Sequence, residues 1–256
     1  MIRLAAAALL AVAAAPSPGA AAHRGIGLSA APARIRLVGA TTAAVTLRNP
    51  GSRPVAVVVS RARLALSLRG KPRIALSSGA RAPEWLIVRP RRISVPRGRS
   101  VRLLVTTKPG RAGGPGDHSG VVLLTTRPLA QARVRIRLRV GIVVVLHVPG
   151  RIVRRLQPLG LRVRRSGGGR LLELRLANRG NVSEALGAGR LRLVLLSGGD
   201  AVARVRPRPR ALLPGGVGIV DFVYRGSLRG AVAARVEIRL RPHGPVVASR
   251  LYRLRL

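Results

Sequence analysis

From Arg133 to Val140 the chain reads Arg-Val-Arg-Ile-Arg-Leu-Arg-Val, a guanidinium at every second residue with an aliphatic side chain between each pair. Only an extended backbone sorts such a run. Successive side chains of a strand point to opposite faces, whereas a helix would scatter both residue types around its circumference. One face must meet a core and the other water, which is the signature of a half-buried antiparallel sheet. The same two-residue period returns in 34–37, 172–176, 190–195, 235–241 and 250–256. Outside the leader, no window sustains an apolar 3.6-residue repeat with caps, so little helix is expected.

Turn chemistry separates these runs at Asn49-Pro50-Gly51, Arg97-Gly98, 113–116, 166–169, Asn178-Arg179-Gly180 and 214–216. The run 141–148 is almost uniformly apolar, as in a strand passing from one-faced to two-faced burial, and Pro149-Gly150 ends it. The sequence therefore predicts an all-β chain: two tandem immunoglobulin-like antiparallel β-sandwich domains after a signal peptide. The expected divisions are a signal peptide over 1–22, a first domain over 23–149 and a second over 150–256. Arg3, the apolar stretch from Leu4 to Ala15 and Ala20-Ala21-Ala22 form the three parts of a secretory leader. The stretch falls short of the ~20 residues that cross a bilayer. A secreted chain, extracellular or wall-associated, with no transmembrane segment when mature, is expected.

The formal net charge is +41, and only Lys71 and Lys108 among the 48 basic residues are lysine. So high an arginine share beside abundant Ala, Gly and Pro reflects GC-rich codons in part, but codon bias does not exclude acids, of which there are only seven. Both halves are strongly basic, so neither is a detachable tail. Such a surface attracts polyanions. Cysteine is absent, which excludes disulfides and thiolate metal sites.

Between Pro83 and Thr126 the order of elements is specific. Trp85-Leu-Ile-Val-Arg-Pro90 is followed by a Pro96-Arg97-Gly98 turn, an alternating strand over 100–107, and the loop Pro115-Gly-Asp-His-Ser-Gly120 before a strand over 119–126. This pattern resembles the N-terminal domain of WxL-interacting proteins, cell-surface proteins of Gram-positive bacteria whose domain is regarded as peptidoglycan-binding. More distantly it resembles periplasmic pilus chaperones. Asn178-Arg-Gly-Asn-Val182 and Leu212-Leu-Pro-Gly215 are similar to turns of the second sandwich in the same WxL-interacting family. That resemblance implies a non-enzymatic protein that binds the anionic cell wall, peptidoglycan or an associated polymer. The chaperone resemblance implies a different partner, another surface protein held by β-strand addition, for which the apolar run Ile142 to Val148 supplies an edge; the basic pair with which a pilus chaperone grips its subunit's carboxyl end is not identifiable among so many arginines. No specific nucleic acid is expected.

Candidate sites narrow quickly. Asp117-His118-Ser119 has the letters of a hydrolase triad, but adjacent residues of an extended segment cannot relay a proton to one another; Asp117 reads instead as a loop cap. His23, His118, His147 and His243 are scattered without metal-ligand spacing, so no metal, cofactor or catalytic residue is expected. Glu173 and Glu237 sit among strand arginines and read as cross-strand ion pairs. Trp85 reads as core, and Asn181-Val182-Ser183 as a turn rather than a glycosylation site. The rows remain: Arg133, Arg135, Arg137 and Arg139 stand about 7 Å apart along a strand, a spacing suited to an extended polyanion.

Overall fold

A computed structural model describes residues 27–74, 82–127 and 137–256, apart from 168, 188 and 243. The expected leader over 1–22 lies outside these residues. Ten strands form the first half: β1 (Ser29–Ala31), β2 (Arg34–Val38), β3 (Thr42–Arg48), β4 (Val55–Leu66), β5 (Pro72–Ile74), β6 (Leu86–Arg89), β7 (Arg92–Val95), β8 (Ser100–Thr107), β9 (Gly116–Thr126) and β10 (Arg139–Val148). Nine form the second: β11 (Leu156–Ser166), β12 (Gly169–Asn178), β13 (Glu184–Ala185), β14 (Leu191–Ser197), β15 (Asp200–Val205), β16 (Ala211–Leu212), β17 (Val217–Tyr224), β18 (Ala231–Arg239) and β19 (Val246–Arg255). One 3₁₀ turn, Pro109–Arg111, is the only helical element among the described residues.

In the first half, a sheet ordered β1-β3-β8-β6 faces one ordered β2-β10-β9-β4-β5, with β7 also on β4. The chain enters on one sheet and crosses to the other at Pro32-Ala33, so β1 pairs with β3 while β2 runs parallel to β10. Alternation decides which residues go inward: in β2, Ile35 and Leu37 are buried while Arg34, Arg36 and Val38 are exposed. The second half has sheets β11-β12-β17 and β15-β14-β18-β19, with a short β13-β16 pair. Two separate apolar cores result, one built from residues between Ile35 and Leu146, the other from residues between Leu172 and Ile238.

A buried asparagine repeats in both sandwiches. Asn49, fully buried, donates through Nδ2 to the carbonyls of Arg53 (2.7 Å) and Val95 (3.0 Å), and its Oδ1 accepts from the Gly51 amide (2.9 Å). Asn178, equally buried, donates to Val182 (2.8 Å) and Leu212 (3.3 Å) and accepts from Gly180 (3.0 Å). Asn49 directly follows β3 and Asn178 ends β12, and each joins the turn after that strand to the last residue of a distant strand, Val95 of β7 or Leu212 of β16. A side chain with two donors and an acceptor is satisfied in this way without water.

Trp85 is core, with 5% of its surface exposed, but the strand expected to begin there begins at Leu86. Leu86 donates to the Pro83 carbonyl, closing a turn that throws the indole inward. Gly120 leaves room for it, since a Cβ there would stand 3.3 Å from Trp85 Cζ2.

Candidate functional site

β10 is the strand on which the site is built. One side pairs with β9 along its whole length, Arg139 opposite Thr125 through Val148 opposite Gly116. The other side is covered by β2 only from Val143 to His147. Val143 donates to the Ala33 carbonyl, while Leu138 accepts from the Thr126 amide on the β9 side. Because alternate residues of a strand turn their N–H and C=O the same way, the backbone groups of Arg139 and Gly141 face the uncovered side. They have no strand partner there among the described residues. The edge expected in 142–148 is thus closed by β2 for most of its length, and Ile142, Val144 and Leu146 are fully buried. The open edge lies just upstream, at 139–142.

Along this edge Leu138 and Val140 are half-buried on the core side, while Arg137 and Arg139 are exposed on the opposite face. Of the arginines singled out by alternation, Arg133 and Arg135 lie outside the described residues. Arg139 shares its face with Val143 and Val145, which lead into a cleft of about 460 Å³ between the two sandwiches. Leu64 and Leu66 of β4 complete an apolar floor, and Arg34, Arg69, Arg208 and Arg210 stand around it.

These four cations differ in how far they are already neutralised. Arg69, from the first sandwich, reaches across to Glu173 (2.5 Å) and Asp221 (3.3 Å) of the second. Arg34, Arg208 and Arg210 have no carboxylate partner within salt-bridge distance among the described residues. Arg210 is half-buried, lies against Gly70 and has its pKa lowered, by burial first and then by the like charge of Arg69, with Asp221 opposing. A cation held in that surrounding is relieved by an arriving anion. Composition hides these residues among the other arginines, although Arg206-Pro-Arg-Pro-Arg210, too proline-rich to be a central strand, was a local signal.

The join between the sandwiches is polar. Asp117, read as a loop cap, is instead a buried member of β9, opposite His147 in the β9–β10 ladder. Its carboxylate accepts from His147 Nδ1 (2.8 Å), Arg36 (3.3 Å) and the Ser183 amide of the second sandwich (2.9 Å). Burial favours its neutral form, but the bonds from His147 and Ser183 and the charge of Arg36 outweigh this and hold its pKa below the usual range. Asn181 adds to the join: its carbonyl accepts from the Asp117 amide and its Nδ2 donates to Pro115 (3.0 Å) and Arg151 (2.8 Å). His118 is bonded to the Gly114 carbonyl and Ser119 Oγ has no partner among the described residues, so the three adjacent residues do not act on one another.

Glu173 does pair across strands, its carboxylate 2.6 Å from Arg162, the residue opposite it. Glu237 pairs instead with Arg235 and Arg239 on its own strand. The described residues contain no group of three or more His, Asp or Glu that could hold a metal, and no helix among them is long and apolar enough to cross a membrane.

No protein-family model and no curated protein sequence matches the chain. Solved structures do. The Class 5 fimbriae chaperone CfaA superposes with a TM-score of 0.51 at 9% identity, over 89% of this chain and 99% of that one. A chain from the chaperone–tip adhesin complex of CFA/I fimbriae biogenesis gives 0.50 at 10% identity, over 89% and 98%. At such identities the likeness shows the fold, the all-β immunoglobulin-like pair of pilus chaperones. It favours the more distant of the two resemblances read from the sequence.

Proposed function

We propose that this chain is a non-enzymatic chaperone or adaptor that holds another surface protein by β-strand addition. The observation that carries this reading is the open edge at Arg139 and Gly141, which leads along Val143 and Val145 into the basic cleft. A strand laid along β10 would complete the ladder that β2 leaves unfinished, and apolar residues alternating with arginine suit a partner that needs a pleated, half-buried neighbour. Arg34 and Arg210 then form the basic pair for an anionic group of the partner, such as a chain-terminal carboxylate. The chaperone-like fold supports the same reading.

A second reading, binding to an anionic wall polymer, is favoured by the net charge of +41 and the exposure of Arg137 and Arg139. A photo-crosslinking residue at Leu138, introduced in the native cells, separates the two. Strand addition gives a discrete protein adduct that Gly141→Pro abolishes and high salt leaves intact. A salt-sensitive adduct with wall polymer, indifferent to Gly141→Pro, would replace the adaptor reading with the wall reading.

A further inference from the structure

Ion pairs within the chain engage Asp117, Glu173, Glu184, Asp221 and Glu237, five of its seven carboxylates. Of the other two, Glu84 lies beside Trp85 in a pocket that adjoins the cleft at Leu64 and Leu213, and Asp200 begins β15 of the second sandwich. Asp221, the one carboxylate among the residues lining the cleft, is already bonded to Arg69, so the arginines of this face outnumber the acids that could neutralise them. Arg34, Arg208 and Arg210 stand around the apolar floor and Arg137 and Arg139 lie upstream along the open edge, all with no salt-bridge partner among the described residues.

We propose that this face selects an acidic protein partner, one whose added strand carries carboxylates at alternate positions opposite Arg137 and Arg139. The proposal rests on the strand-addition reading and specifies what is added. Residues directly opposite one another on neighbouring strands share a face, so the partner side chains beside Arg139 meet its guanidinium, and like charges there are destabilising. A second copy of this chain, carrying the same excess of arginine, is repelled from the edge. A nucleic acid or a phosphate-backbone wall polymer matches the arginines but has no side chains for the Leu64, Leu66, Val143 and Val145 floor and no peptide groups for Arg139 and Gly141. Only an acidic polypeptide answers the charge, the apolar surface and the unpaired backbone together. Rim charges of this kind act mainly on association rate and salt dependence, and so choose among partners that would all satisfy the backbone.

The test uses the full chain and three synthetic peptides in which Val alternates with Asp, Asn or Lys. At low salt the Asp peptide should bind at least about tenfold more tightly than the Asn peptide, and the Lys peptide most weakly. The gap should close near ~0.5 M salt, where the Debye length falls below about 5 Å. Reversing charge with Arg137→Glu and Arg139→Glu together should transfer the preference to the Lys peptide. Gly141→Pro should abolish binding of all three; N-methylating the peptide on alternate residues removes the same ladder without touching the protein. Equal binding of Asp and Asn peptides, both lost on N-methylation, would overturn the acidic-partner inference and leave strand addition standing. No binding by any peptide would overturn both. Displacement of the Asp peptide by polyphosphate, in a complex that survives N-methylation, would overturn both in favour of a polymer site.

Discussion

Asp117 joins the two sandwiches through one carboxylate, and its surroundings have a thermodynamic sign. A folded-state pKa below the ordinary 3.8 contributes stability at every pH above that value, and the contribution disappears as pH falls through the lower folded value. Asp117→Asn should therefore cost about 1–3 kcal/mol at neutral pH and flatten the acid side of the stability curve, measured by urea unfolding between pH 2 and 7. An unchanged acid limb would show that the join draws nothing from this charge. Truncating Trp85 to alanine should destabilise the first sandwich by about 3–5 kcal/mol, as large aromatic deletions in cores do. The contrast between these residues shows what a sequence discloses. A lone tryptophan in a chain of Val, Leu and Ile is legible as core. Glu173 is legible too, because alternation sets an arginine opposite it. Asp117 is not, since its partners His147 and Ser183 lie 30 and 66 residues away and only the β9–β10 register and the packing of the second sandwich bring them near.

At the level of elements, periodicity located most strands, and what escaped it was coverage. The apolar run 141–148 reads as an available edge because nothing in its composition tells that β2, more than a hundred residues earlier, will lie beside it from Val143 onward. Parallel pairing to a distant strand leaves no local mark. The difference is testable with one amino acid at two positions. Val144 turns its amide toward β9, inside the ladder, so Val144→Pro removes an internal hydrogen bond from a fully buried residue and should unfold the first sandwich. Gly141 turns its amide outward, but a Cβ there would stand 3.3 Å from Val121 Cγ1, so Gly141→Pro should lower the melting temperature no more than Gly141→Ala does, while only the proline abolishes partner binding. Damage from Gly141→Pro well beyond that of Gly141→Ala would mean that the Gly141 amide is used within the fold.

On the scale of the whole molecule, two cores meet across a polar join, with Arg69 bonded to Glu173 and Asp221 and Asp117 bonded to Ser183. Separate chains of 23–149 and 150–256 should each unfold cooperatively, because each has a core of its own. Each should melt below the intact molecule, since separation removes these contacts. A half that shows no transition would mean that the join is required for folding. The join leaves a basic cleft between the sandwiches, and upstream of it the β10 edge at Arg139 and Gly141, where a partner strand would add, has no strand partner among the described residues. Amide exchange at Arg139 and Gly141 tests it most directly, in the full chain alone and with the alternating Val-Asp peptide. Fast exchange is expected at both residues in the free protein, slowing by about tenfold or more on binding, since newly paired strand amides are protected. Binding that leaves these two amides exchanging freely would contradict it.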